Sequence, residues 1–399
     1  MSSRASLAVA LGLLAAFALA ATADTPSVKT GLDVLAAKDF SPLAGKRVGL
    51  LVNQTSRTHD GRALVDLVRA RKDMTLVTIF TPEHGLEGKK DEPVASSSYE
   101  GIPVVSLYGE RKKPTVAELQ ALDVLVYDIQ DVGCRYYTYL ATLAMAMEVA
   151  KEAGIRVMVL DRPDPAGGVV LEGPIAEESL RKKFTSYSAL PTRYGLTIGE
   201  YARWVNEVEK LGCKLEVVKA EGWKRGELWA ETGLPWVAPS PNLKSADAAL
   251  LYTGLGILEK TNLSVGRGTD TPFLVYGAPF VDGAAWAAAL ESRRLEGLSF
   301  EAADFTPPYS TQAKKLCHGV RVKVTDGKRV RTVTAALHMI DTLRALTKEF
   351  QWLETGGMLG EHGAPSRLDK GAKIAELLEG FEKGRVAYEK DRKSVLIYP

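Results

Sequence analysis

The stretch DVLVYDIQDVGCRYYTYLATLAMAMEVAKEAGIRVMVLD, Asp123 to Asp161, decides the fold. Val124 to Ile129 reads as a buried strand, Tyr139 to Ala153 as a long helix and Arg156 to Leu160 as a second buried strand. Short, nearly continuous apolar runs joined through a helix are what a parallel sheet requires when helices cover both of its faces. A β-α-β unit of this kind is the seed of a Rossmann-like, doubly wound α/β domain.

The same alternation extends outward. Before the unit come a strand at Arg47 to Asn53 (RVGLLVN), a helix at Gly61 to Ala70, strands at Thr75 to Phe80 and Pro103 to Leu107, and a helix at Val116 to Ala121. After it come a helical pattern from Thr197 to Leu211, a strand at Lys214 to Val218 and a Pro-rich segment, Pro235 to Pro241. From Ala248 the texture changes to Gly-rich Thr261 to Tyr276 and then to further strand and helix signals. This predicts a Rossmann-like N-terminal domain over residues 30–245 and a second, smaller α/β domain over 246–399, with the boundary between Asn242 and Ala248.

At the other end, Arg4 precedes an apolar run from Leu7 to Leu19, and Ala21-Thr22-Ala23 supplies small residues before Asp24. The expectation is a cleaved signal peptide over residues 1–23 and an exported protein, periplasmic or extracellular, with no membrane attachment once the peptide is removed. The net charge of +2 offers nothing that would draw nucleic acid. Three cysteines, Cys134, Cys213 and Cys317, are too few for a disulfide scaffold and lack zinc-site spacing. Length gives room for about two domains with real cores.

In doubly wound sheets ligands bind beyond the carboxyl ends of the strands. The residues there are Asn53 and Gln54, then Glu83 and His84, then Tyr108, then Asp128, Gln130 and Asp131, then Asp161 and Arg162. Glu83 is the first candidate for chemistry, since Pro82 fixes its own backbone and Gly85 can turn left-handed, making the connection stiff where the carboxyl projects. A rigidly presented carboxyl at a strand end is a candidate general acid or base.

Several chemistries lack their motifs. No GxGxxG follows the first strand, and no GxxxxGK[ST] or GxSxG occurs, which disfavours dinucleotide, P-loop and α/β-hydrolase readings. The five histidines lie far apart without HExxH, so no metal or other cofactor is expected and His84 reads as a hydrogen-bonding imidazole. Carboxylates and aromatics remain. Asp128 to Tyr139 carries Asp128, Asp131, Gln130, Arg135 and three tyrosines, and paired carboxylates with sugar-stacking rings are the equipment of glycoside hydrolysis. Asp128 can equally cap a helix, and the tyrosines can equally pack on the sheet.

TPEHGLEG (81–88), VSLYGE (105–110), DVLVYDIQDVGCRYYTY (123–139), VLDRPDPAGG (159–168), LEGP (171–174), PSPN (239–242) and TNLSVGRGTDTPF (261–273) resemble the NamZ family of exo-acting peptidoglycan β-N-acetylmuramidases. The resemblance implies a Rossmann-like N-terminal domain, a smaller C-terminal domain and release of N-acetylmuramic acid from non-reducing ends of cell-wall glycan fragments. It places the glutamate of the family's PEHG motif at Glu83. The second carboxylate stays open between Asp128 and Asp131, with Glu172 behind them. Asn53, His84, Tyr108, Gln130, Arg135, Tyr137, Arg162, Glu172, Tyr194, Asn262 and Arg267 are the expected substrate-binding residues.

N-acetylmuramic acid carries a lactyl carboxylate, which calls for a donor fork such as arginine. Arg135, Arg162 and Arg267 are the candidates, although Arg162 can instead partner Asp161 or Asp164. Two positions depart from the family pattern. Tyr194 stands where the family usually has histidine, expected to alter a side chain lining the site, and Lys260 stands in Glu259-Lys-Thr-Asn262 where glycine is usual, expected to be a loop variation. The rival readings are an exported muropeptide- or sugar-binding protein without turnover, and an esterase or amidase acting on the same polymer.

Overall fold

The computed structural model describes residues 28–354 and 357–399. The expected signal peptide, residues 1–23, lies outside them. Seven strands form the larger sheet: β1 (Arg47–Val52), β2 (Thr75–Thr81), β3 (Ser97–Tyr99), β4 (Ile102–Ser106), β5 (Val124–Asp128), β6 (Arg156–Leu160) and β7 (Lys214–Val218), in the spatial order β3-β4-β2-β1-β5-β6-β7. All neighbouring pairs are parallel except the edge pair β3–β4. With β3 set aside, the order reverses between β1 and β5, the topological switch point of a doubly wound sheet.

Alternate side chains explain why both faces are covered. Leu51, Leu125, Tyr127, Val157 and Val159 enter one core with the helices α4 (Tyr139–Ala153) and α5 (Ile198–Arg203). Val48, Leu50, Val52, Val124, Val126, Met158 and Leu160 enter the other, with α1 (Gly31–Ala37) and α2 (Leu64–Arg69). The central strands and α4 lie where the alternation of apolar runs predicts them. Helix α2 is shorter than the predicted Gly61 to Ala70, because Gly61 has φ 90° and its N–H closes a turn onto Thr58, which holds residues 57–63 out of the helix. Helix α1 has no counterpart in the sequence reading, although Thr30 and Asp33 cap its start reciprocally.

The smaller sheet is antiparallel, with β8 (Val275–Ala278), β10 (Cys317–Val324) and β9 (Leu298–Phe305) in that spatial order. The helices α6 (Ala246–Leu255), α7 (Gly283–Glu291) and α8 (Thr332–Leu346) pack around it, followed by α9 (Gly363–Asp369) and α10 (Ile374–Arg392). A Cβ at Gly254 would lie 2.2 Å from the Thr332 carbonyl carbon, so glycine is what allows α6 and α8 to touch. One continuous apolar core runs from the α4 face of the large sheet into α6 and α8. The C-terminal segment also returns to the first sheet, where Tyr398 donates to Asp161 at 2.6 Å. Among the described residues no helix is long and apolar enough to cross a membrane.

Glu172 fastens the two sheets' surroundings together. Its carboxylate accepts the backbone N–H groups of Thr332 at 2.6 Å and Thr334 at 3.3 Å, at the first turn of α8. A buried carboxylate there satisfies donors that the helix cannot satisfy itself and complements the positive end of its dipole. Glu172→Ala should therefore destabilise the protein by roughly 1–3 kcal/mol, read as a lower urea midpoint, while kcat at saturating substrate stays near the parent value.

Candidate active site

Strand β2 delivers Thr81 to a turn in which the Gly85 N–H donates to the Pro82 carbonyl at 3.1 Å. His84 and Gly85 both have φ 71°, so the stiffness inferred from Pro82 and Gly85 extends to a histidine held in the left-handed region. The His84 ring nitrogen Nδ1 lies 2.7 Å from the Lys90 carbonyl, which only accepts, so the proton sits on Nδ1 and the ring pins the following loop. Glu83 is half-buried, and the Thr138 hydroxyl donates to its Oε2 at 2.6 Å. Tyr108, just beyond β4, has its phenol pKa pushed well up by burial first and then by the neighbouring Glu83 carboxylate.

Glu83 lies on the walls of two adjoining compartments. One, about 400 Å³, is lined by Tyr108, Phe184, Tyr136, Tyr137, Tyr252 and Phe273 together with charged groups. The other, about 550 Å³ and wider at the mouth, is lined by Lys90, Asp91, Glu92, Tyr309 and Ser310. Glu83, Asp91 and Arg267 line both. Arg267 donates through Nε to Glu259 and through a terminal nitrogen to Asp91 at 3.0 Å. Burial works against its charge, yet Glu259 and Asp91 outweigh burial and hold its pKa above the ordinary arginine value. Asn242 donates to Asp91 at 2.8 Å and accepts from the Gly268 N–H at 2.9 Å, so the loop after His84 is laced to the C-terminal part of the chain.

Of the expected site residues, the structure brings Glu83, His84, Tyr108, Tyr137 and Arg267 to this cleft. The others lie elsewhere, each for an identifiable reason. Asp128 is fully buried in a bidentate ion pair with Arg162, 2.5 and 2.9 Å, so Arg162 partners neither Asp161 nor Asp164 through its side chain and is not available to a substrate carboxylate. Asp131 is buried and accepts from the Tyr194 hydroxyl and, at 2.8 Å, from the Gly133 N–H. Tyr194 is itself wholly buried, so its departure from the family pattern changes the interior and not the cleft wall.

Asn53 turns inward, donating to Tyr139 at 3.2 Å and accepting from the Thr55 N–H at 2.9 Å. Gln130 donates to the carbonyls of Asp131 and Pro163. Arg135 is 1 % exposed and donates to Ser186 at 3.0 Å and to the Met358 carbonyl at 2.8 Å. Glu172 caps α8, as described above, and Asn262 is tied to the backbone of Glu349 and Gln351 outside the cleft. The strand ends of β1, β5 and β6 are thus occupied by the protein's own groups. Ala238 and Pro239 lie across them, accepting from Gln54 at 2.8 Å and Tyr139 at 2.6 Å. A space of only about 20 Å³ remains beneath.

Sequence reasoning missed Asp91, Lys112, Phe184, Tyr252, Glu259, Lys260, Phe273 and Glu354. Asp91 and Lys112 were within reach, because they sit in the loops that leave β2 and β4. Lys260 was misread: it is not a loop variation but a cleft residue whose ammonium pairs with Glu354 at 2.6 Å. Among the described residues no group of three or more His, Cys, Asp or Glu side chains is arranged to hold a metal ion.

Similarity to known proteins follows the same residues. Family profiles described as "Exo-beta-N-acetylmuramidase NamZ" match the chain twice, the N-terminal one over residues 48–247 and the C-terminal one over 250–398. The chain is 40% identical over 385 residues to the peptidoglycan β-N-acetylmuramidase NamZ of Bacillus subtilis strain 168, covering 94% of this chain and 93% of that one. Two crystal structures of DUF1343 family proteins from Bacteroides fragilis NCTC 9343 superpose on it. One has a TM-score of 0.86 at 32% identity, covering 94% of this chain and 100% of the other. The second has a TM-score of 0.77 at 28% identity, covering 93% and 99%.

The buried acids beside the cleft generate a pH dependence. Burial pushes Asp131 up to about 6 and Asp164 up to about 8 from an ordinary 3.8, and Asp164 Oδ2 has no hydrogen-bond partner among the described residues. At these two groups the folded state keeps protons that the unfolded chain releases above pH 4, so their contribution to stability is greatest at low pH and is lost as pH rises toward 8. Each group contributes a slope of about 1 kcal/mol per pH unit between its two pKa values. Asp164→Asn keeps the shape and cannot ionise. Urea denaturation of this variant should show a shallower decline between pH 6 and 8 than the parent protein.

Proposed function

We infer the activity of this chain from two facts: it belongs to the exo-β-N-acetylmuramidase NamZ family, and Glu83 stands where a narrower and a wider compartment of one cleft meet. It is a glycoside hydrolase that releases N-acetylmuramic acid from the non-reducing end of peptidoglycan fragments. An exo-acting enzyme has to receive one terminal sugar in a bounded pocket while the remainder of the glycan stays outside. In our reading the terminal sugar enters the compartment walled by Tyr108, Tyr137, Tyr252 and Phe273, whose faces suit a pyranose ring. The leaving sugar occupies the open side, beside Tyr309.

Glu83 is the general acid in this reading. The Thr138 hydroxyl donates to Oε2, which leaves Oε1 to carry the transferable proton. That proton passes to the glycosidic oxygen as the bond from the anomeric carbon breaks, the bonding pair goes to the departing oxygen, and positive charge develops on the sugar. That charge is then met by a second carboxylate, which stabilises it or activates water, or by the sugar's own acetamido group. Asp128 and Asp131 are committed to partners within the interior, so we assign the role to Asp91, which lines both compartments and is paired with Arg267 at 3.0 Å. We further propose that the protein is exported, with Arg4, the apolar run and Ala21-Thr22-Ala23 as the supporting features. N-terminal sequencing of protein from the producing cell should then begin near Asp24, and a cytosolic protein retaining Met1 would overturn export.

The mechanism is tested at Glu83. Glu83→Gln keeps the shape and the bond from Thr138 but has no proton to transfer, so kcat on a muramyl disaccharide should fall by roughly a hundredfold or more while the disaccharide still binds. An activated aryl muraminide should suffer less, because its leaving group departs with little protonation. Retention of near-parental turnover on the disaccharide would remove Glu83 from the acid's role, and binding with no product from the parent protein would favour a sugar-binding function.

A further inference from the structure

We propose that Lys112 is the residue that reads the lactyl carboxylate of the substrate, a specificity determinant at the site of the muramidase reading and resting on that reading. The charges of the narrower compartment leave one candidate among the described residues. Its three long-chain cations are Lys112, Lys260 and Arg267. Lys260 is paired with Glu354 at 2.6 Å, and Arg267 is held between Glu259 and Asp91. A cation whose donors already face two carboxylates has little to offer a third. Lys112 makes no hydrogen bond or ion pair with any described residue. Its ammonium lies instead 4.7 Å from the centroid of the Tyr108 ring and 4.2 Å from that of Phe184, two rings 5.8 Å apart that line the same wall.

This arrangement is suited to binding an anion. The two aromatic faces attract the ammonium and set its position without using up its three N–H donors. A substrate carboxylate can therefore be accepted without first breaking an ion pair, and its desolvated charge meets a partner already in place. Tyr108 ties this position to the reacting bond, since its ring contacts Lys112 and it lines the same compartment as Glu83, whose carboxylate raises the phenol's pKa. The anion-reading cation and the acid thus flank one phenol, as they must if both act on one sugar. The arginines expected to read the lactyl group from sequence do not fit, because Arg135 and Arg162 are buried in other contacts and Arg267 is occupied.

Lys112→Met keeps the unbranched stem against both rings and removes only the charge. Two measurements on the full-length mature protein test the proposal: calorimetric binding of free N-acetylmuramic acid and N-acetylglucosamine, which differ by the lactyl group, and kcat/KM on matched aryl glycosides of the two sugars. The variant should lose roughly ten- to a hundredfold in affinity for N-acetylmuramic acid and in kcat/KM for the muraminide, the scale of one charge-assisted bond, mainly through KM. Its values for the N-acetylglucosamine pair should not change, and Lys112→Arg should recover part of the loss. An unchanged ratio between the two sugars, or equal losses on both, would overturn the assignment to Lys112. The binding arm keeps this distinct from failure of the muramidase reading: parental protein that prefers N-acetylmuramic acid through Lys112 yet cleaves neither glycoside would sink the hydrolase and leave the recognition standing.

Discussion

The ion pair between Asp128 and Arg162 determines where this molecule can bind anything. Asp128 ends β5, one of the two strands bordering the switch point, and Arg162 follows the neighbouring parallel strand β6 by two residues, so the pair sits beside the place where a doubly wound sheet ordinarily opens a crevice for a ligand. Here the fully buried carboxylate receives bonds from Nε and Nη2 of Arg162, and the same Nη2 also donates to the Arg57 carbonyl at 3.0 Å. Desolvating both charges is tolerable because both carboxylate oxygens and the Nε and Nη2 donors of the guanidinium find partners. Removing either residue would leave the other buried and unpaired, at a cost of roughly 3–5 kcal/mol. With the central crevice closed by this pair and the segment around Pro239, the cleft forms to one side, over the ends of β2 and β4.

That displacement explains which parts of the molecule could be read from sequence. The parallel sheet was legible because its signals are local: a buried strand needs a short apolar run, and Tyr139 to Ala153 needs only helical periodicity. Glu83 was legible for the same reason, since Pro82 and Gly85 constrain it from positions one and two residues away. The pairing of charges was not. Asp128 meets Arg162 across 34 residues and Arg267 meets Asp91 across 176, and nothing in either neighbourhood announces the partner. A rule that ligands gather at strand ends therefore named five walls, of which only those after β2 and β4 face the cleft.

The two departures from the family pattern illustrate the same limit. Tyr194 lies in PTRYGLT (191–197) and is aromatic, which suggests a sugar contact, yet its hydroxyl is spent on Asp131 in the interior. Lys260 precedes a threonine and an asparagine in a segment that reads as a loop, which suggests tolerance to change, yet it ends a short 3-10 helical turn and places an ion pair with Glu354 on the cleft wall. Position within a motif constrains which backbone a residue belongs to. It does not say whether the side chain points at solvent, substrate or core, and only the fold decides that.

The cleft itself is organised by the difference between charges that are satisfied and charges that are not. Arg267, Asp91 and Glu259 form a neutralising chain that joins the C-terminal part of the chain to the loop after Glu83, so the wall opposite the acid is stiff before any sugar arrives. Stiffness of this sort matters because a site that must not rearrange during reaction loses nothing to reorganisation as charge develops. Lys112, by contrast, is positioned by ring faces and keeps its donors, a state that costs little while the site is empty because the ammonium remains partly hydrated. Among the described residues lining the Tyr108 compartment, Lys112 is the long-chain cation with bonding capacity to spare, so a substrate anion there is drawn to it, and the paired charges around it discourage binding in any other orientation. Orientation of the sugar, rather than added attraction, is what brings its glycosidic oxygen to Glu83.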